Sequence, residues 1–305
     1  MLRAFFIALS QSRFLRAMAE KSSLGRRLSR RFVAGTQMDD VLQATQEVNS
    51  SGCSVSVDNL GENVTSREEV QRHAELYHRL LDEIAARKLN ANVSVKLTQM
   101  GLDVDEKLAH DITNGLVEHA VRDNNFVRLD MEGSPYTQRT LDFVRELHGK
   151  NGHQGRVGAV IQAYMRRSES DVEQLLRERI RIRLCKGAYK EPPELAFQKM
   201  PEVNENYIRL MKMLLTSGVY HGIATHDEKM IAATLEFAKA QNVPPDAFEF
   251  QMLYGIRRDL QRKLVQGGWR MRVYIPFGAE WYPYFMRRLA ERPANALFVL
   301  KNLFK

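Results

Sequence analysis

Beyond Gly52 the chain alternates between two hydrophobic rhythms. Short runs in which every second residue is apolar, the period of a strand, are each followed by a stretch with apolar positions three and four apart, the period of a helix. The strand-like runs start at Cys53 (CSVSVDNLGE), Asn92 (NVSVKLTQMG), Phe126 (FVRLDMEGS), Val157 (VGAVIQAYMRR), Ile180 (IRIRLCKGAYKEP), His221 (HGIATHD), Phe248 (FEFQMLYGIR) and Arg272 (RVYIPFG). Helical patterning lies between them, clearest over Arg67–Arg87, Ser168–Arg177 and Lys229–Ala240. Eight such units in series predict an α/β chain folded as a (βα)8 TIM-type barrel. The division expected is residues 1–51 as an N-terminal helical segment, packed on the barrel or preceding it, and residues 52–305 as the barrel itself. A doubly wound open sheet is the competing architecture, but the G-x-G-x-x-G turn of a dinucleotide-binding version does not follow the first strand.

The predicted strands carry charges where a barrel filled only by packing would carry Val, Ile and Leu. Counting by twos sets Lys96 apart from Val93, Val95 and Leu97. It puts Arg128, Asp130 and Glu132 on one face of the third strand, Gln162 and Tyr164 on one face of the fourth, and Arg181, Arg183 and Cys185 on one face of the fifth. Glu249 pairs with Gln251 in this way in the seventh strand, and Arg272 with Tyr274 in the eighth. A buried charge is costly unless paired, so these groups are expected to neutralise one another. Asp130 and Lys96, on adjacent strands, are the expected pair. The polar residues are also expected to gather at the C-terminal strand ends, where barrel active sites lie.

Charge narrows the partners. The formal net charge is +8, but Met1 to Phe32 hold eight Lys or Arg against one acid, Glu20, a net of +7. The body is close to neutral, so a nucleic-acid partner is not implied. Apolar residues at Leu2, Phe5, Phe6, Leu9, Leu15 and Met18 follow amphipathic spacing in the same segment. It reads as a pair of packed helices, as a basic helix on an anionic membrane surface, or as an organelle transit peptide. The run Ala4–Leu9 is too short for a secretory signal, and no stretch approaches the roughly 20 apolar residues of a membrane span. Two cysteines, Cys53 and Cys185, form no disulfide framework and no metal-binding spacing, which suits a reducing compartment.

Three segments carry candidate chemistry. In RLCKGAY, Lys186 precedes Gly187 and Ala188, small residues that let a planar or phosphorylated group approach the backbone. The lysine reads either as a cofactor contact or as a Schiff-base group, as in barrel aldolases. ATHD offers Thr225, His226 and Asp227, too few ligands for a metal, so no metal is expected there. The last strand runs through a Pro276–Gly278 turn into a helix with Tyr284, Arg287 and Glu291 on one face and Arg288 beside them. Guanidinium forks bind carboxylates bidentately, so this helix is a candidate anion clamp; its plainer reading is a solvated basic helix.

Taken in order, SVKLTQMG, RLDMEGS, IQAYMRR, RLCKGAYKEP, ATHD, FEFQMLYGIR and YIPFGAEWYPYFMRRLAERPAN resemble the proline dehydrogenase family, with likeness from RFVAG near Phe32 to about Asn295. The resemblance implies a distorted barrel with non-covalent FAD at the strand C-termini. It also implies oxidation of L-proline to Δ1-pyrroline-5-carboxylate, with electrons passed to membrane quinone. By motif, Lys96, Arg287 and Arg288 correspond to groups holding the proline carboxylate. Asp130, Leu253, Tyr274 and Tyr284 correspond to the pocket shell, Glu291 to the acid near the substrate nitrogen, and Tyr189 to the same site. Arg183 and Gln162 correspond to isoalloxazine contacts, Lys186, Gly187 and Ala188 to the cofactor turn, and Thr225 and His226 to contacts on the adenosine side. Glu62 would pair with Arg288 as an ion-pair lid. Lys190 stands where some relatives carry an aromatic residue bordering the flavin. Tyr274 stands where hydroxyproline-oxidising relatives carry a small residue, which favours proline over hydroxyproline or another cyclic amino acid. The implied location is cytoplasmic, with peripheral contact at the inner face of the membrane, or the mitochondrial matrix in a eukaryote. A Schiff-base aldolase and a non-catalytic barrel that binds a small acid are the alternatives from other classes.

Overall fold

A computed structural model of the chain describes Met18, Ala19, Ser22, Gly25 and residues 29–291; at 287 and 289–291 only the backbone is described. Helix α1 (Met38–Ser50) leads into β1 (Ser54–Asn59), α2 (Arg67–Ala86), β2 (Ala91–Val95), α3 (Glu106–Arg122), β3 (Val127–Leu129) and α4 (Ser134–Gly149). Then come β4 (Val157–Gln162), α5 (Ser168–Arg177), β5 (Arg181–Cys185), α6 (Met200–Leu215), β6 (His221–Ala224) and α7 (Glu228–Ala240). Strand β7 (Phe248–Leu253), α8 (Arg258–Gln266), β8 (Met271–Phe277) and α9 (Trp281–Glu291) complete it. The strands pair in parallel and in chain order, and β8 closes on β1, so every run predicted from alternation is a barrel strand.

Local chemistry sets the helix starts. Ser66 accepts a hydrogen bond from the Glu69 amide and Asp105 accepts one from the Leu108 amide, each satisfying a backbone donor that a helix start leaves open. The outward-facing strand residues, among them Val55, Val57, Val93, Val95, Val127 and Leu129, are fully buried against the helix ring. Each such side chain contributes about 1.5–3 kcal/mol on burial.

The ring is distorted at its seam. Helix α1 packs on β8 and β1, the place an eighth outer helix would occupy. Helix α9 lies instead over the C-terminal mouth. Its Trp281, Tyr282, Tyr284, Phe285 and Met286 form a second core with Phe32, Val33, Leu60 after β1, and Leu253 and Ile256 at the end of β7. The last helix therefore roofs the site.

Candidate active site

The barrel interior is a continuous polar network. Arg183 on β5 spans the lumen: its Nε donates to Gln251 Oε1 at 2.5 Å, Nη1 to Asp130 Oδ1 at 2.7 Å, and Nη2 to Ser56 Oγ at 3.1 Å. Asp130 also accepts from Ser94 Oγ at 2.8 Å and from the Tyr274 hydroxyl at 2.8 Å. Burial, with Asp130 and Asp58 nearby, raises the Tyr274 phenol well above its ordinary range, so it stays a donor. Below this layer Glu249 accepts from Arg272 Nε at 2.6 Å, Gln251 Nε2 at 2.6 Å and the Tyr220 hydroxyl at 2.9 Å. Arg128 donates to the carbonyls of Ala159 and Arg181 at 2.9 and 2.8 Å. Glycines make room for these long side chains. A Cβ on Gly222 would lie 2.3 Å from the Gln251 amide nitrogen, and one on Gly158 2.7 Å from Arg128 Nη1.

Two expectations are corrected. The charges do not gather only at the C-terminal strand ends: Arg181, Glu249 and Arg272 sit in the first halves of their strands, Arg128 sits mid-strand, and together they make the lower layers of the network. Lys96 does not pair with Asp130. Its Nζ donates to Asp58 Oδ1 at 2.9 Å, while Asp130 is taken by Arg183 reaching across the lumen. Burial alone would lower the Lys96 pKa, but the Asp58 and Asp130 carboxylates outweigh it and hold the pKa above the ordinary lysine value. Lys96 is thus a fixed ammonium at the barrel mouth, its side chain 12% exposed.

The rim over β4–β6 is built differently. Gln162 at the end of β4 donates to the Glu132 carbonyl at 3.0 Å and accepts from the Ala188 amide at 3.4 Å, which links three loops. Lys186 after β5 pairs with Asp227 after β6 at 2.6 Å. Gly187 has φ +114°, and its Cα face lies against the Tyr164 ring, so that a Cβ would come within 2.2 Å. The Tyr164 hydroxyl is buried and finds no hydrogen-bond partner among the described residues. Thr225 Oγ1 accepts from the Asp227 amide at 3.1 Å, and His226 Nε2 accepts from the Leu253 amide at 2.9 Å. The second bond requires the neutral His226 ring to carry its proton on Nδ1. Tyr189 and Lys190 lie exposed in the loop after β5, with the Tyr189 ring beside Gly133, the residue that precedes α4. Glu191 anchors that loop by accepting from the amide and hydroxyl of Ser134 at 2.7 and 2.6 Å.

In the roof, Arg288 lies over the ring of buried Tyr284, with 5.0 Å between guanidinium carbon and ring centre. Arg287 and Glu291 are on the same helix, and their side chains lie outside the described residues. Lys96, Asp130, Leu253, Tyr274, Tyr284 and Arg288 thus converge on one mouth, with Gln162, Arg183, Lys186, Gly187, Ala188, Thr225 and His226 along its β4–β6 side. Sequence reasoning missed Asp58, Ser56 and Ser94. The signal was present in CSVSVDNL, where Ser54, Ser56 and Asp58 alternate with Val55 and Val57 as the charges do in the other strands.

A closed parallel barrel with fixed charges at its C-terminal mouth is the architecture of a (βα)8-barrel enzyme. The family model described as proline dehydrogenase matches residues 41–301. The chain is 41% identical over 304 residues to proline dehydrogenase 2 of Bacillus subtilis (strain 168), covering 99% of each chain. It is 40% identical over 282 residues to the proline dehydrogenase of Deinococcus radiodurans, covering 91% of this chain and 90% of that one. Among solved structures, proline utilization A (PutA) from Bdellovibrio bacteriovorus, inactivated by N-propargylglycine, superposes with a TM-score of 0.81 at 28% identity. That match covers 87% of this chain and 32% of the longer one. The chain belongs to the proline dehydrogenase family, and it is an oxidoreductase.

Proposed function

We propose that this chain oxidises L-proline to Δ1-pyrroline-5-carboxylate, the first step of proline catabolism, with non-covalently bound FAD and membrane quinone as electron acceptor. The observation that carries the reading is the Lys96 ammonium, held charged by Asp58 at the mouth beneath a roof helix bearing Arg287 and Arg288. Three cations suit one small carboxylate. Tyr274, tied to Asp130, and Tyr284 in the roof make rigid walls for a five-membered ring. Leu253, Tyr189 and Asp130 complete the enclosure, Glu291 would face the substrate nitrogen, and Glu62 would pair with Arg288 as a lid.

The β4–β6 rim fits a flavin dinucleotide. It presents the Gln162 amide, the Lys186–Asp227 ion pair, a glycine turn at Gly187–Ala188 that bares the backbone, and the Thr225–His226 pair, with the Arg183 guanidinium held in the lumen beneath. The buried Tyr164 hydroxyl beside that turn also waits for an acceptor. When bound, the flavin supplies a two-electron acceptor for the hydride leaving the ring carbon next to the nitrogen. The protein's share is position and charge: Lys96, Arg287 and Arg288 fix the carboxylate and so aim that carbon. The nitrogen must give up its proton before its lone pair can form the C=N bond, and the same cations disfavour the ammonium form.

The state of Lys96 argues against a Schiff-base reading. Imine formation needs a neutral amine, and the carboxylates around Lys96 hold it protonated. The other candidate, Lys186, is committed to Asp227. A visible spectrum of the pure protein tests the proposal. Flavin bands near roughly 380 and 450 nm are expected, bleached without oxygen by L-proline and far less by hydroxyproline. A colourless protein that binds no added FAD, or a yellow one that proline leaves oxidised, sinks it.

A further inference from the structure

On the outside of the ring, α2 and α3 bring together four side chains that the barrel chemistry does not use. His78 and Asp82 lie one turn apart on α2. His119 and Asp123 stand in the same relation on α3 and its C-terminal cap. The His119 ring is buried, and its Nε2 is 3.1 Å from Asp82 Oδ1 and 3.2 Å from Asp123 Oδ2. Its other nitrogen, Nδ1, lies 2.8 Å from Nδ1 of His78.

The proton count makes this arrangement unusual. Two carboxylates converge on one imidazole nitrogen, which can carry one proton at most. The contact between His78 and His119 also needs a proton, because two facing nitrogen lone pairs repel. With Nδ1 of His119 facing His78, its Nε2 faces two carboxylate oxygens at once, an arrangement that a cation between the three atoms satisfies. The spacing suits one. Bonds of about 2.0–2.1 Å at a tetrahedral zinc set neighbouring ligand atoms about 3.3–3.4 Å apart. The three donor atoms all lie within 4.8 Å of one another, with the two short edges already near that value.

The geometry points to a surface site for one divalent transition metal of the zinc class, with His119 Nε2, Asp82 and Asp123 as ligands and water in the fourth place. His78 is the outer partner that accepts the His119 Nδ1–H and so fixes the ring and its tautomer, the arrangement metal-bound histidines commonly show. The mixed nitrogen and oxygen set suits Zn²⁺ over Ca²⁺ or Mg²⁺, which take oxygen ligands. Occupancy ties α2 to α3, the helices that follow the strands bearing Asp58 and Lys96, and stabilises the folded state by mass action.

The flavin-loaded protein, stripped with a chelator and then freed of it, is titrated with ZnCl₂ in competition with a chromophoric chelator. One Zn²⁺ per chain is expected, with a rise in Tm, and Co²⁺ in its place gives the visible bands of a tetrahedral centre. Asp82 and Asp123 have side chains 68% and 26% exposed, so the double variant Asp82→Asn/Asp123→Asn tests the site without disturbing the core. It should bind Zn²⁺ at least about tenfold more weakly and lose the Co²⁺ bands. His110→Gln, which removes a histidine whose two ring nitrogens face different carboxylates, Glu146 at 2.8 Å and Asp111 at 3.9 Å, should change nothing. Absence of stoichiometric uptake shows that the His119 imidazolium alone bridges the two aspartates, and it overturns the proposal. Equal Zn²⁺ affinity in wild type and double variant overturns it too.

Discussion

At the scale of single residues, the inward faces of the strands could be read from alternation, but the partners could not. Lys96 and Asp130 are level with each other, since Val95 pairs with Leu129 in the register, so adjacency makes them a natural pair. The lumen is narrow enough for the long Arg183 side chain to reach Asp130 from β5, and that leaves Lys96 to Asp58. Which groups meet across a closed barrel depends on strand stagger and side-chain length, and neither is written in period-two counting. The Asp58–Lys96 pair has a measurable signature. Asp58→Asn removes the carboxylate and leaves the ammonium buried without it, a loss of about 3–5 kcal/mol. Adding Lys96→Met should restore most of that stability, because an uncharged apolar side chain has no desolvation penalty to offset, while leaving proline oxidation abolished. Thermal melts of wild type, both single variants and the double variant give the coupling. Additive losses would mean that the two side chains do not act as a pair.

At the scale of elements, strands and most helices were legible because each keeps one clean period. The expected helix Arg67–Arg87 is Arg67–Ala86, and Lys229–Ala240 is Glu228–Ala240. The place of the last helix was not legible, because a barrel pattern treats all βα units alike. Its composition held the clue. Trp281, Tyr282, Tyr284, Phe285 and Met286 are consecutive but for Pro283, and all five are buried, whereas a ring helix buries one stripe. The Gly187 turn is the other feature where local sequence and site meet. At φ +114° any Cβ is strained, and here it would also strike the Tyr164 ring. Gly187→Ala should cost about 1–3 kcal/mol and push the turn away from the rim. The protein should then purify with less flavin per chain, and its affinity for added FAD should fall about tenfold or more, a loss of roughly 1.4 kcal/mol or more. Flavin absorbance relative to protein absorbance measures the first effect and titration of the stripped protein the second. Unchanged flavin content would remove this turn from the cofactor site.

At the scale of the whole molecule, the uneven charge is the feature that the barrel does not explain. The chain carries +8 and residues 1–32 carry +7 of it, so the remaining residues have almost no net attraction for an anionic surface. Among the described residues no helix is long and apolar enough to cross a bilayer. If a quinone dissolved in lipid is the acceptor, as proposed above, the enzyme must meet the membrane surface, and the basic segment is the proposed means. Each Lys or Arg near an anionic leaflet contributes about 1 kcal/mol, falling off within a Debye length. Replacing Arg13, Arg16, Arg26 and Arg27 by Gln should therefore weaken binding to phosphatidylglycerol vesicles by about 4 kcal/mol, close to a thousandfold. Binding of the wild type should fall steeply with added salt and be absent on phosphatidylcholine vesicles. Turnover with a soluble dye acceptor should stay at the wild-type rate in the variant, because the four arginines lie outside the sequence motifs that carry the candidate site, while turnover with quinone embedded in the vesicles should drop. Co-sedimentation and the two assays separate docking from chemistry. If the variant sediments with anionic vesicles as well as the wild type does, the basic segment is not the membrane contact.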